Sequence, residues 1–530
     1  MDYQLCIPTL LRRAEYAFSH KEVISRQPDK SIHRYTYKEL ATRVKKLAVA
    51  IKNLGIEEGD RVATLCWNHS QHLEAYFAVP GIGAVVHPLN IRLSPDDLGY
   101  IVNHAEDKII IIDEVLLPLF EKFKAQIKSG KIIVIRQTQE PIDPKYIDYE
   151  DVVGSGDESQ FIPFEKDENA AAFMCYTSGT TGKPKGVLYS HRSVVLHAMA
   201  FMFSCADVGL TERDIVLPIV PMFHASAWGL PYTATFAGAT QVYAGPHLDP
   251  ASLVELFESE KVTITAAVPT VIIGILNKLD QAFVKPKLHF RVILSGGSAL
   301  PKFVVQEFEE KYNIRVIQSW GMTEMSPAGA SSITTSRIEL LPKEEKYNYA
   351  TKQGVAVPFV EARARNDEGE LVPHDGETMG ELEVRGPWII SSYYKDDSRD
   401  RFSDDGWLRT GDIVTIDPDG FISIKDRSKD VIKSGGEWIS SLVLENAIMG
   451  HPAVLEAAVI AVPDAKWMER PFACIVLKEG MSLTSEEIRA YLTDKIAKFS
   501  IPDQYAFIEE IPKTSVGKFL KSVLREKYKA

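Results

Sequence analysis

Residues 171–189 read Ala171-Ala172-Phe173-Met174-Cys175-Tyr176, then Thr177-Ser178-Gly179-Thr180-Thr181-Gly182-Lys183-Pro184-Lys185-Gly186, then Val187-Leu188-Tyr189. An apolar, β-prone run enters a loop crowded with hydroxyls, glycines and lysines, and a second β-prone run leaves it. Glycine lets backbone N–H groups approach an anion closely, and the hydroxyls and the two lysines add donors and positive charge. This is the chemistry of a polyphosphate cradle. It is not a Walker A loop, which needs Gly where Thr177 stands and Ser or Thr where Pro184 stands. Read as an ordinary polar turn, the same residues would have no need of both lysines and four hydroxyls.

Outward from this loop, short β-rich runs alternate with helical spacing. Tyr37 to Leu54 and Ser70 to Val79 read as helices; Arg61 to Cys66, Ala84 to Val86, Lys108 to Ile112, Lys131 to Ile135, Val262 to Ala267 and Arg291 to Leu294 read as strands. Alternation of this kind predicts mostly parallel sheets covered by helices. The chain is 530 residues long, enough for three or four structural units at roughly 150 residues each. A boundary is expected near Asp426, after the alternating run Phe421 to Lys425. The division is then 1–428, a large N-terminal domain, and 429–530, a small one with an α+β pattern. Strands at Val454 to Val462 and Phe472 to Leu477 and a helix from Ser485 to Lys498 make up that pattern. Residues 429–530 hold 14 basic and 14 acidic side chains, so the net charge of −12 resides in the rest.

That acidic balance argues against a general binder of nucleic-acid backbones. Five scattered cysteines with no C-x-x-C pair argue against a disulfide framework or a structural zinc site and favour a reducing compartment. His72 and Glu74 form an H-x-E, but no P-C-x-x-C follows, so a zinc deaminase is excluded. No basic-then-apolar leader is read at Met1, and a cytoplasmic location is expected. From Ile215 to Leu248 there is no Asp, Glu, Lys or Arg, yet Pro218, Pro221, Pro231 and Pro246 interrupt the stretch. A spanning helix needs about 20 mostly apolar residues in a row. The stretch is therefore read as buried core or pocket wall, with no transmembrane segment.

Further motifs follow in order. Trp320-Gly321-Met322-Thr323-Glu324 is an aromatic-Gly-x-Thr-Glu sequence, and Thr410-Gly411-Asp412 follows Gly406-Trp407-Leu408-Arg409. Asp426-Arg427-Ser428-Lys429-Asp430 and Ser434-Gly435-Gly436-Glu437 come next, and Pro512-Lys513-Thr514-Ser515-Val516-Gly517-Lys518 lies near the C-terminus. With the 177–186 loop, these stretches resemble the motifs of the adenylate-forming superfamily, which includes acyl-CoA synthetases, peptide-synthetase adenylation domains and firefly luciferase. The resemblance covers nearly the whole chain. It implies an α/β fold: a large N-terminal domain of β-sheets flanked by helices, and a small mobile C-terminal α+β domain.

The resemblance also implies roles. Thr177, Ser178, Gly179, Thr180, Thr181, Gly182, Lys183 and Lys185 hold the pyrophosphate end of ATP, and Thr177 and Glu324 contact Mg²⁺, a hard cation suited to oxygen ligands. Ser298, Gln318, Ser319, Trp320, Gly321 and Thr323 line the adenine and α-phosphate. Asp412 accepts the ribose hydroxyls, Arg427 adds a contact, and Lys429 marks a hinge. Lys433 and Trp438 meet nucleotide or coenzyme A. Lys518, Glu324 and His224 form the catalytic set, with Lys518 stabilising charge during adenylation. Trp320 stands where many relatives carry Tyr, which keeps a flat wall and loses a hydroxyl.

Pro221-Met222-Phe223-His224 resembles the family's acyl-pocket motif, and amino-acid-activating members have Asp where His224 stands. The expected pocket comprises His224, Ala225, Trp228 and Gly297. An uncharged wall suits an apolar tail, and the stretches Trp228 to Leu256 and Trp438-Ile439-Ser440-Ser441 most resemble medium- and long-chain fatty acyl-CoA synthetases. The activity implied is ATP-dependent ligation of such an acid to coenzyme A through an acyl-AMP, with ATP, Mg²⁺ and coenzyme A required. The alternatives are another apolar-tailed acid (short, branched or thioether), an acyl-AMP ligase loading a carrier protein, a luciferase-type oxygenase and a nucleotide-binding regulator without chemistry. A homodimer is compatible with any of them.

Overall fold

In the computed structural model, which describes residues 2–128, 130–138, 143–177, 183–204, 209–397, 399–435, 437–493, 495–513 and 519–528, the strand Ala171–Tyr176 runs antiparallel to Gly186–Ser190. This hairpin forms one edge of a seven-stranded sheet. The order is Ile147–Asp148, Lys131–Ile135, Asp107–Asp113, Arg61–Leu65, Val85–Pro88, Ala171–Tyr176, Gly186–Ser190. Every pair except the hairpin is parallel. Continuous apolar runs such as Ile109-Ile110-Ile111-Ile112 are buried throughout, as a parallel sheet covered on both faces requires.

A second sheet, of nine strands among the described residues, runs Val355–Ala356, Ala328–Ser331, Arg315–Gly321, Val292–Ser295, Ile264–Ala267, Ile215–Pro218, Thr240–Tyr243, Glu22–Arg26, Ile32–Thr36. Its interior pairs are parallel and its two ends antiparallel. The helix Tyr37–Asn53 illustrates how the sequence sets a covering element. The Thr36 hydroxyl accepts the Glu39 N–H while the Glu39 carboxylate accepts the Thr36 N–H, and Leu40, Val44, Leu47 and Ile51 recur at helical spacing on the buried face.

The chain divides into two compact units. Residues 1–361 with 385–400 form the first, which contains both of these sheets; residues 362–384 with 401–530 form the second. The parallel arrangement read from the sequence applies to the first unit. The second holds a four-stranded sheet, Glu361–Arg365, Gly380–Arg385, Leu408–Ile416, Ile422–Arg427, antiparallel across its last two pairs. It also holds a five-stranded sheet in which Glu437–Ile439, Ile432–Ser434, Met468–Leu477 and Val454–Asp464 are antiparallel neighbours and Gln504–Phe507 joins Met468–Leu477 in parallel. The 428/429 division falls between these two sheets; as a statement about which residues move together it is a proposal. The helix expected over 485–498 ends at Thr493. Beyond it the Lys495 and Ile496 N–H groups both return to the Leu492 carbonyl, and Ile496 turns onto the core around Ile488 and Leu492.

A buried ion pair anchors the last helix, Lys521–Lys527. The Lys521 ammonium meets Glu445 at 2.6 Å, with side chains only 10% and 5% exposed, and also donates to the Ser441 hydroxyl at 2.6 Å. Burial pushes the Glu445 carboxyl up to about 7, against the pull of Lys521. Lys521→Met is expected to destabilise the protein at and above neutral pH, because it leaves Glu445 buried without its partner. Urea unfolding measures the loss. The deficit should shrink near about pH 5, where Glu445 carries a proton in the fold, and grow as pH rises through 7. A deficit independent of pH would show that Glu445 is not its source.

Candidate functional site

The loop between the hairpin strands is closed at its base. The Thr177 N–H donates to the Lys185 carbonyl at 2.9 Å, and the Lys185 N–H donates to the Thr177 hydroxyl at 3.2 Å. Ser178, Gly179, Thr180, Thr181 and Gly182 lie outside the described residues. Both lysines are exposed and each is seated on a ring: the Lys183 ammonium lies 4.7 Å from the centre of Tyr100, and that of Lys185 lies 4.8 Å from Tyr393. Lys185 also pairs with Asp396 at 2.7 Å.

Strand Arg315–Gly321 leads into a short turn, Thr323–Met325, that carries Glu324. Glu324 is 6% exposed, and its Oε1 accepts the Tyr393 hydroxyl at 2.7 Å. The Tyr189 hydroxyl, on the strand leaving the loop, donates to the Thr323 carbonyl at 2.6 Å. Tyr393 thus touches both the loop's exit lysine and Glu324. Among the described residues no basic side chain pairs with Glu324. The side-chain partner of Glu324 is a neutral hydroxyl, and a hard cation takes carboxylate oxygens, so the donor set fits Mg²⁺.

Trp320 is buried, and its ring lies against Gly329, where a Cβ would come within 2.5 Å. Gln318 is buried and donates through Nε2 to the Ser298 carbonyl at 3.1 Å, and its Oε1 has no hydrogen-bond partner among the described residues. That orphaned acceptor suits a donor on a ligand. The Ser319 hydroxyl meets that of Ser331 at 3.3 Å; Ser298, Gly297 and Gly321 are exposed and Thr323 is partly so.

The charge-free stretch folds as strand Ile215–Pro218, turn Ala225–Gly229, helix Leu230–Ala237 and strand Thr240–Tyr243, nearly all buried. Among the described residues no helix is long and apolar enough to cross a membrane. His224 opens the turn and is partly exposed. From Ala225 to Gly229 five successive residues have left-handed backbone, with φ of 43°, 52°, 50°, 57° and 75°. Each non-glycine there costs roughly 1–2 kcal/mol. The turn sets the Trp228 indole against Gly296: a Cβ at Gly296 would lie 3.0 Å from the ring and 2.9 Å from the Ser319 carbonyl. The need for glycine at 296 therefore comes from Trp228 and Ser319. Gly229 is likewise required, since a Cβ would lie 2.5 Å from His197. Burial pushes the His197 imidazole down to about 3, so the ring is neutral, and its Nε2 accepts the Ala328 N–H at 3.2 Å.

In the second unit, Asp412 is 1% exposed on strand Leu408–Ile416 and faces Arg427 across the antiparallel register, with an ion pair of 2.8 Å. Lys429 is exposed in a turn. Lys433 pairs with Asp367 at 2.8 Å, and its ammonium lies 5.1 Å from the ring of Trp438, its neighbour on the adjoining strand. Gly435 occupies left-handed backbone against Trp467, whose ring a Cβ would approach to 2.7 Å. Lys518 and Gly436 lie outside the described residues.

Sequence reasoning missed Tyr393, Asp396, Tyr100 and His197; the dipeptide Tyr393-Tyr394 was the one visible signal. A buried trio, Cys66, His69 and Asp113, brings potential metal ligand atoms within 4.8 Å of one another. These groups satisfy themselves. His69 Nε2 bonds Asp113 at 2.7 Å, the Trp67 N–H donates to Asp113 at 2.8 Å, and the Cys66 thiol donates to the Ile111 carbonyl. Glu74 of the H-x-E is fully buried and bonded to Tyr35, Tyr149 and Arg43. An open depression of about 670 Å³, lined by His33, Arg34, Thr42 and Arg43 among others, contains none of the motif residues.

Residues 11–394 match the family described as AMP-binding enzyme, and residues 443–518 match the AMP-binding enzyme C-terminal domain. The chain belongs to the AMP-binding enzymes. Its relatives include the long-chain-fatty-acid–CoA ligase of Thermus thermophilus, 48% identical over 100% of this chain and 96% of that one. The medium-chain-fatty-acid–CoA ligase of Ectopseudomonas oleovorans is 43% identical over 100% and 97%. The 3-methylmercaptopropionyl-CoA ligase of Ruegeria lacuscaerulensis is 40% identical over 100% and 98%. With them, this chain is an acyl-CoA ligase of the AMP-forming kind.

Proposed function

We propose that the protein joins a medium- or long-chain fatty acid to coenzyme A at the expense of ATP, releasing AMP and pyrophosphate. A carboxylate does not react with a thiol directly, because oxide is a poor leaving group. Its attack on the α-phosphorus of ATP expels pyrophosphate and gives an acyl-AMP, from which a thiolate displaces AMP. Such chemistry depends on positioning and charge stabilisation. The 177–185 loop would hold the departing pyrophosphate. Thr177 and Glu324 would hold Mg²⁺, which when bound neutralises charge on the polyphosphate oxygens. Gln318 and Trp320 would form the adenine wall, Asp412 would accept the ribose hydroxyls, and Lys518 would stabilise the charge that develops in adenylation. His224, Ala225, Trp228 and Gly297 would shape the acyl pocket.

The observation that carries the choice of acid is the buried, charge-free wall from Ile215 to Leu248 with Trp228 at its turn. It offers a second charged group no partner. The relatives acting on long- and medium-chain acids support the same choice. A short thioether acid is the second reading, favoured by the relative named for 3-methylmercaptopropionyl-CoA. A panel of carboxylic acids, assayed with ATP, Mg²⁺ and coenzyme A for AMP release, tests the proposal. Aliphatic acids of medium or greater length should lead, and preference for an amino acid or dicarboxylate would overturn it.

We also propose that residues 429–530 move as a body between the two half-reactions, with Lys429 in the hinge. Proline fixes φ near −65° and removes an N–H. Lys429→Pro is therefore expected to spare adenylation and depress thioester formation, because only the second step needs the rotated domain. Single-turnover assays of the two steps measure this; equal losses in both, in a folded protein, would count against the hinge.

A further inference from the structure

Tyr393 is assigned no part in the chemistry by the motifs, yet it connects the two ends of the polyphosphate site. We propose that it is a positioning residue for the metal-binding carboxylate, an inference that rests on the reading of Glu324 as a Mg²⁺ ligand. Tyr393 is 5% exposed. Its hydroxyl donates to Glu324 Oε1 at 2.7 Å, and no described residue donates to Oε2. The backbone is fixed on both sides: the Ile390 N–H donates to the Glu324 carbonyl at 3.0 Å, and the Tyr394 N–H donates to the Gly186 carbonyl at 2.8 Å. The same ring seats the Lys185 ammonium at 4.8 Å. One side chain therefore orients the carboxylate and the loop lysine through different parts of itself.

The chemistry favours a phenol at this position. A lysine or arginine beside Glu324 would fix it equally well but would cancel the charge a divalent cation needs. A neutral O–H fixes one oxygen, leaves the other to the cation, and raises the carboxylate's order without lowering its charge. Partners of this kind hold a metal ligand in its bound rotamer before the metal arrives, and losing them typically weakens metal binding by about 10- to 100-fold.

Tyr393→Phe removes the hydroxyl and keeps the ring under Lys185. Mn²⁺ would be titrated into protein saturated with a non-hydrolysable ATP analogue, with free Mn²⁺ read by electron paramagnetic resonance. The Kd for Mn²⁺ is expected to rise at least about tenfold, while the metal-free affinity for the analogue stays within about twofold of wild type. The Mg²⁺ concentration giving half-maximal adenylation should rise in parallel, and thioester formation from synthetic acyl-AMP should be unchanged. An unchanged Mn²⁺ Kd in a variant that still binds the analogue would overturn the role of Tyr393 and leave the proposed function standing. If wild-type protein with the analogue takes up no Mn²⁺, or Glu324→Gln takes it up as well as wild type, the metal reading of Glu324 fails and Tyr393's role fails with it.

Discussion

Lys518→Ala is expected to slow acyl-AMP formation by a factor of about 10² to 10³, the usual loss when one preorganised donor is removed from developing charge. Conversion of supplied acyl-AMP to acyl-CoA should fall far less. The asymmetry follows from the chemistry. Negative charge builds on the oxygens around phosphorus as the carboxylate attacks, whereas the second step breaks the acyl–oxygen bond at carbon. Two single-turnover measurements decide it, one starting from acid and ATP and one from synthetic acyl-AMP and coenzyme A. If the second step collapses as severely as the first, Lys518 does not serve adenylation in this way.

The second large effect is expected along a homologous series of acids. Each methylene buried against an apolar wall is worth about 0.8 kcal/mol, or roughly a fourfold change in kcat/KM. From butyrate to decanoate six methylenes are added, so kcat/KM should rise by about 4 × 10³ if all six are buried. The rise should stop where the pocket ends. Trp228 is the candidate end wall, since its indole is packed against Gly296. Trp228→Ala should shift the optimum to longer acids and leave the slope below it intact. Measuring kcat/KM from acetate to palmitate for both proteins tests the two parts separately. A flat profile or an optimum at acetate overturns the apolar-tail assignment; an unchanged optimum in the variant removes only Trp228. Dicarboxylates should be poor substrates, because an unpaired buried ion costs several kcal/mol even after relaxation.

Much of this was legible in the sequence, for definite physical reasons. The hairpin around the loop shows itself because both strands are apolar and the loop is not. The parallel strands show themselves as short continuous apolar runs, which is how a strand buried on both faces must read. The neutral composition of the tail accompanies a unit of largely antiparallel sheets. What stayed hidden was long-range or conformational. Tyr393 and Glu324 are 69 positions apart, and no local pattern marks a hydroxyl for a distant carboxylate. Asp396 and Lys185 are 211 apart. The glycines at 229 and 296 were visible, but their causes, His197 and Trp228, were not. The left-handed turn was invisible because Ala225-Ser226-Ala227-Trp228 contains none of the residues that announce positive φ.

That turn also limits how the proposed acyl pocket can diversify. Backbone at positive φ is strained for β-branched side chains, so valine, isoleucine and threonine, the usual small steps in remodelling an apolar surface, are disfavoured from 225 to 228. Gly229 and Gly296 are restricted as well, because a Cβ there meets the His197 ring at 2.5 Å or the Ser319 carbonyl at 2.9 Å. Drift toward a new acid is then channelled into a few moves: trimming or exchanging the indole at 228, or altering residues that face it from other elements. If the turn lines the acyl pocket as proposed, changes within the turn itself would come as exchanges of the ring at 228 rather than as single methyl steps.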